Sequence, residues 1–265
     1  MDFSYDSGLV ALSVFVAVLG AFTGLVLTTG IRQVRGPEGL LRIALGGLGV
    51  GGGIWSMHFI AMLAVILPVK LSYAIPETLI SALIAVAFTI LALWTVAHRR
   101  LGGATLPLSA LFLGLAIAGM HYYGMSAIKG CGIRYSAVGV GISILIAVQA
   151  SMVALWFAFR RRGVLDTLLG SLALGLAIAA MHYSGMEAAR FQPPAAPDPG
   201  TGEVLNERLL AITVAITLYS ICSIGLLVFA ALTFSRRFVR RADFRARSGK
   251  VEAGFPSDRA TNKGI

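Results

Sequence analysis

Three short stretches gather most of the side chains in this chain that could bind a metal. Residues 113–125 read LGLAIAGMHYYGM and residues 174–186 read LGLAIAAMHYSGM, identical at 11 of 13 positions at an offset of 61. A looser copy, VGGGIWSMHFIAM, fills residues 50–62. Each carries Met-His-aromatic and then a second Met: Met57-His58-Phe59 with Met62, Met120-His121-Tyr122 with Met125, and Met181-His182-Tyr183 with Met186. The 265 residues include only 4 His and 8 Met, so three His and six Met in these copies is a strong concentration.

On a helix, residues four apart share a face. His58 therefore pairs with Met62, His121 with Met125 and His182 with Met186, and these six are the candidate metal ligands. Imidazole suits copper, zinc, iron and nickel, whereas thioether sulfur selects Cu(I). Hard ions need carboxylates, and Glu187 is the only acid touching a motif. The donor set favours copper. Tyr122 and Tyr183 are placed to hydrogen-bond and orient the imidazoles, which Phe59 cannot do. The small residue before each last Met (Ala61, Gly124, Gly185) keeps that face open to close approach. Packing alone is the competing explanation, since Met fills irregular apolar gaps and a single His can bond a neighbouring helix. It leaves unexplained why an ionisable group, costly in lipid and functional there by default, recurs at one depth. Cys131 is a further candidate soft ligand, and Cys222 reads as core.

The elements that must position these residues are membrane helices. The composition is 57% hydrophobic with mean hydropathy +0.83, and a bilayer core needs about 20 apolar residues per helix. Seven runs qualify: 8–31, 40–66, 76–97, 106–128, 136–159, 165–189 and 209–234. None shows the period-two alternation of a membrane barrel, and helices satisfy their backbone groups within lipid. The expectation is an all-α polytopic membrane protein of seven transmembrane helices, three two-helix repeats plus one extra, over residues 1–235. A basic, disordered tail is expected over 236–265. The motifs fall on the second, fourth and sixth helices, which run the same way, so all three sit at one depth. The Gly-rich stretch at 46–53 includes a formal GxGxxG at Gly47, Gly49 and Gly52, but a dinucleotide site needs a preceding strand and a βαβ unit. Small residues for close helix approach are the better reading. The two Cys give no disulfide framework, and Asp2 and Asp6 before the first run argue against a cleaved signal peptide. The Pro-rich stretch FQPPAAPDPGTGE reads as an irregular, exposed loop.

Charge sets the expected orientation. Of the 22 Lys and Arg, 17 fall on the side of the first, third and fifth connections and the tail, and five on the other. The basic side is cytoplasmic, giving an outside N-terminus and an inside C-terminus. Trp94 and Trp156 fit an interfacial belt. The topology explains the net charge of +10 without nucleic acid, and the tail cluster RRFVRRADFRAR suits anionic lipid headgroups.

These motifs on alternate helices resemble the MHYT domain family of bacterial integral membrane sensors, over about residues 8–235. The family motif ends in Thr, where this chain has Ile60, Tyr123 or Ser184, and the first copy has Phe59 for Tyr. The resemblance implies a bacterial inner-membrane sensor of a diatomic gas such as O2, CO or NO through copper near the outer face. Redox sensing at the same site is a second expectation, and no enzyme is expected, because no cluster of carboxylates, nucleophile or general base accompanies the His. The resemblance also implies signalling through a separate partner protein, since no output domain is visible in the chain. Two other readings stand beside it: a copper-transport protein, which would repeat soft ligands along a path, and a bis-His haem protein.

Overall fold

The computed structural model describes residues 1–223 apart from 2, 35, 99–102, 161–163 and 194–202, and beyond them 225, 227, 230 and 231. Its helices are α1 (Ser7–Leu27), α2 (Gly36–Leu63), α3 (Ile75–His98), α4 (Thr105–Ser126), α5 (Ala137–Arg160) and α6 (Val164–Glu187). A seventh, α7, is described over 207–223. Among the described residues, six helices have the length and apolar composition to cross a membrane. The chain is an all-α polytopic membrane protein.

Local chemistry sets the helix starts. The Asp6 carboxylate accepts from the backbone N–H of Leu9 at 2.9 Å and caps α1, as short polar side chains do at this position. Pro37 and Pro76 lie in the first turns of α2 and α3, where their missing N–H leaves no helical bond unmade. Gly30, with φ +73°, turns the chain after α1.

The helices form a ring with a three-helix centre. α3 packs between α2 and α4, α5 between α4 and α6, and α1 between α6 and α2, while α2, α4 and α6 meet one another inside. α2 is buried at every position from Gly49 to Met62, as a helix apolar all round must be. The odd helices turn Phe15, Leu83 and Leu145 outward, each more than 60% exposed, as a lipid-facing surface requires.

One glycine per motif helix seats the neighbouring odd helix. A Cβ on Gly51 would lie 2.7 Å from Val86 Cα, one on Gly114 2.8 Å from Val148 Cα, and one on Gly175 2.8 Å from Val18 Cα. No side chain fits there, and each glycine stands seven residues before its motif His. α1 thus takes the place beside α6 that α3 and α5 take beside α2 and α4. Gly20 and Gly24 of α1 also interlock with Gly53 and Gly49 of α2, so the Gly-rich stretch is a helix seam.

The connections at one end of the bundle carry short antiparallel strands. β1 (Ser4–Tyr5) pairs with β2 (Val65–Ile66). β3 (Ser72–Ala74) lies between β4 (Ile128–Lys129) and β7 (Val204–Asn206). β5 (Gly132–Tyr135) pairs with β6 (Ala189–Gln192) in register Arg134↔Arg190. These strands are absent from the sequence reading, which has plain loops there. Phe191 and Gln192, expected in the irregular Pro-rich loop, belong to β6, and Phe191 is buried. The rest of that loop over 194–202 lies outside the described residues, as does the basic tail expected over 236–265.

Candidate metal centre

α2, α4 and α6 each deliver one His from the last two turns before the strand-bearing end. His58, His121 and His182 are 0%, 0% and 2% exposed. Their Nδ1 atoms form a nearly equilateral triangle: 3.1 Å between His58 and His182, 3.3 Å between His121 and His58, and 3.2 Å between His121 and His182. The three rings meet edge to face with centroids 5.0–5.1 Å apart.

A neutral imidazole carries one N–H, so three converging Nδ1 atoms cannot all be satisfied by one another. The opposite Nε2 atoms of all three rings are buried with no hydrogen-bond partner. With their lone pairs turned to the common point and their N–H groups outward, the three rings would suit a central cation. Dividing the mean side of 3.2 Å by √3 puts the centre about 1.9 Å from each nitrogen, just under the roughly 2.0–2.1 Å of an imidazole–metal bond. The three Nδ1 atoms would therefore hold an ion at close to bonding distance. The donor set fits a metal. Among the described residues the three His are the one group with metal-binding spacing, and no Cys or carboxylate belongs to it.

Each imidazole lies against an aromatic ring at the next position. Centroids are 4.8 Å apart for His58–Phe59, 4.8 Å for His121–Tyr122 and 4.9 Å for His182–Tyr183, all edge to face. Beyond each stands a tyrosine from a strand: Tyr73 against Phe59, Tyr135 against Tyr122 and Tyr5 against Tyr183. The expected hydrogen bonds from Tyr122 and Tyr183 to the imidazoles are not made. Tyr122 donates to Ser143 Oγ at 2.6 Å and Tyr183 to Ser13 Oγ at 2.9 Å, since each serine already donates to a backbone carbonyl. Orientation comes from ring packing, so Phe59 serves as well as a tyrosine.

Gly124 and Gly185 lie under the imidazole of the preceding motif. A Cβ on Gly124 would meet His58 Nε2 at 2.7 Å, and one on Gly185 would meet His121 Nε2 at 2.6 Å. Ala61 holds the matching place in the first motif. Met62, Met125 and Met186 are fully buried in the core that contains the motifs, as are Met57, Met120 and Met181. Cys131 stands half-buried between β4 and β5, apart from the His group. Burial raises its thiol pKa above the ordinary range, pushes that of Tyr135 up to about 12 and raises those of Tyr5 and Tyr73.

A ring of membrane helices around a buried His triangle, with one repeated His motif per inner helix, defines a polytopic membrane protein with a three-fold repeated His cluster. The MHYT family, described as a bacterial signalling protein N-terminal repeat, matches residues 51–107, 114–171 and 175–247, and the chain belongs to it. The chain is 42% identical over 231 residues to the bifunctional diguanylate cyclase/cyclic di-GMP phosphodiesterase MucR of Pseudomonas aeruginosa, covering 85% of this chain and 34% of that protein. It is 37% identical over 199 residues to the cyclic di-GMP phosphodiesterase NbdA of the same organism, covering 72% and 25%. It is 29% identical over 247 residues to the signalling protein YkoW of Bacillus subtilis, covering 91% and 30%. The chain thus spans about a third of the length of these curated relatives or less. No solved structure matches it.

Proposed function

We propose that this chain is the membrane-embedded sensory part of a bacterial signalling system, and that the His triangle holds a copper ion whose open position or redox state is the signal. The convergence of three buried Nδ1 atoms within 3.3 Å of one another carries this reading. His58, His121 and His182 hold the ion by their Nδ1 atoms, and Met62, Met125 and Met186 offer soft donors from the same helix faces. Copper supplies reversible binding of a diatomic ligand (O2, CO or NO) and one-electron exchange. The chain's own residues exclude water, fix the rings and keep the site free of competing hard ligands. In this reading the chain sits in the inner membrane with the strands and the triad toward the outside, which the partition of Lys and Arg supports. The names of MucR and NbdA point to cyclic di-GMP signalling as the output.

The two rival readings fare less well. Two axial nitrogens 3.1–3.3 Å apart leave no room for a porphyrin between them, which argues against haem. A transport path needs ligands at successive depths, whereas the described residues offer one group at one level. The deciding experiment is elemental analysis of detergent-purified protein, with copper, iron and zinc counted together in the wild type and in a His58→Ala/His121→Ala/His182→Ala variant. One copper per chain, lost in the variant, is the expected result. Equal metal in both would overturn the reading.

A further inference from the structure

The charges around the triangle limit what ion can sit in it. Every acid among the described residues stands at a helix end or on a connection. Asp6 caps α1, Glu38, Glu77 and Asp166 lie in first turns, Glu187 closes α6, and Glu203 and Glu207 flank β7. Glu38 is held by Arg42 at the far end of α2. None joins the three nitrogens. The Nε2–H groups have no carboxylate or carbonyl behind them, so the partner that normally makes a ligating His more basic is missing. The centre is three imidazoles, with no carboxylate among them, in a fully buried place.

The cost of placing an ion in such surroundings grows as the square of its charge, so a divalent ion costs roughly four times a monovalent one of the same size. Zinc sites with three His complete a tetrahedron with a water or hydroxide and rely on acceptors behind the imidazoles. No such acceptor stands behind these imidazoles. We infer that the triad is a site for a singly charged soft cation, Cu(I), and that it rejects Zn(II) and Cu(II) unless an anion enters with them. The inference rests on the metal reading of the triad and adds the charge that the site accepts. It follows that losing one electron to an outside acceptor leaves the ion in a place that does not tolerate it, so the bound couple has a high reduction potential.

The test is metal competition on the full chain in detergent, in a buffer free of halide and carboxylate. Apo protein is titrated with Cu(I) against a colorimetric Cu(I) chelator, and with Zn(II) and Cu(II) against matched chelators. Cu(I) held roughly 100-fold or more tighter than either divalent ion is the expected outcome, with azide restoring part of the divalent binding. A His182→Glu variant, which puts a negative charge among the donors, reverses the order in favour of Zn(II). Zn(II) or Cu(II) held within tenfold of Cu(I) by the wild type overturns the inference while leaving a metal site in place. A chain that retains no metal overturns both this inference and the proposed function. If His182→Glu fails to fold, judged by size exclusion, the wild-type competition and its azide dependence decide alone.

Discussion

The imidazole of His58 on α2 lies on Gly124 of α4, with Nε2 only 2.7 Å from where a Cβ would stand. The same relation links His121 on α4 to Gly185 on α6, at 2.6 Å. The second and third motifs therefore each supply a ligand candidate and also the bare backbone on which the previous motif's ring rests. Ala61 holds the third such place, so the sequence departs from three-fold equivalence there.

Gly124→Ala and Gly185→Ala should each force a buried ring to move. Overpacking of this kind costs about 1–3 kcal/mol, and the affected Nδ1 leaves the triangle. We expect the folded variants to bind metal at least tenfold more weakly, read by chelator competition, with His→Ala controls setting the full loss. Wild-type affinity in both glycine variants would show that the rings are not held by these contacts.

The hydroxyls of Tyr122 and Tyr183 bond serines on α5 and α1 rather than the His triangle. Tyr122→Phe removes the bond to Ser143 but keeps the ring against His121, so it should cost about 1 kcal/mol of stability and leave metal affinity unchanged. Tyr122→Ala removes the ring and should weaken both. Thermal melts and metal titrations of the two variants side by side check this. A drop in metal affinity in Tyr122→Phe equal to that in Tyr122→Ala would restore a role for the hydroxyl.

Much of this was legible in the sequence because membrane helices and a repeated motif are strong signals. The apolar runs locate the helices to within a few residues, and common spacing brings His58, His121 and His182 to one level. The strands were not legible, because pieces of two to four residues carry no measurable period, and β3 pairs with strands distant in sequence. Which glycines matter was half legible. Gly51, Gly114 and Gly175 occupy the same place in all three copies, yet only packing shows that they seat Val86, Val148 and Val18. The partners of Tyr122 and Tyr183, serines on α5 and α1, have no signature at all. A hydroxyl bond between distant helices depends on which helices are neighbours.

Orientation follows from charge alone and is open to direct test. Reporter fusions after Arg100 and after Pro199 should read cytoplasm and periplasm respectively, as the 17-to-5 partition of Lys and Arg requires. Reversal at either point would place the triad toward the cytoplasm and end the outward-facing sensor proposal.

Cys131 gives a pH-dependent readout of the strand-bearing end. Burial raises its pKa above the ordinary thiol range, and the thiolate, the reactive form, exists only above that pKa. In a Cys222→Ser background, alkylation by a neutral maleimide at pH 8 should be slower than for a free thiol in solution. The rate should still be climbing at pH values where an ordinary thiol has levelled off. A profile that levels off where the free thiol does would mean that Cys131 is open to water.

The methionines separate a soft-metal site from a packed core. Met→Leu at Met125 or Met186 keeps volume and apolarity, so stability should fall by less than about 1.5 kcal/mol. A thioether that contacts the ion contributes to Cu(I) binding far more than to Zn(II), because only the soft ion gains much from sulfur. We expect the double variant Met125→Leu/Met186→Leu to fold, to keep its triangle of His, and to hold Cu(I) more weakly while its residual Zn(II) affinity stays put. Titration of both ions into the wild type and the double variant measures this directly. Unchanged Cu(I) affinity would assign the sulfurs to packing alone and leave the three imidazoles as the whole donor set.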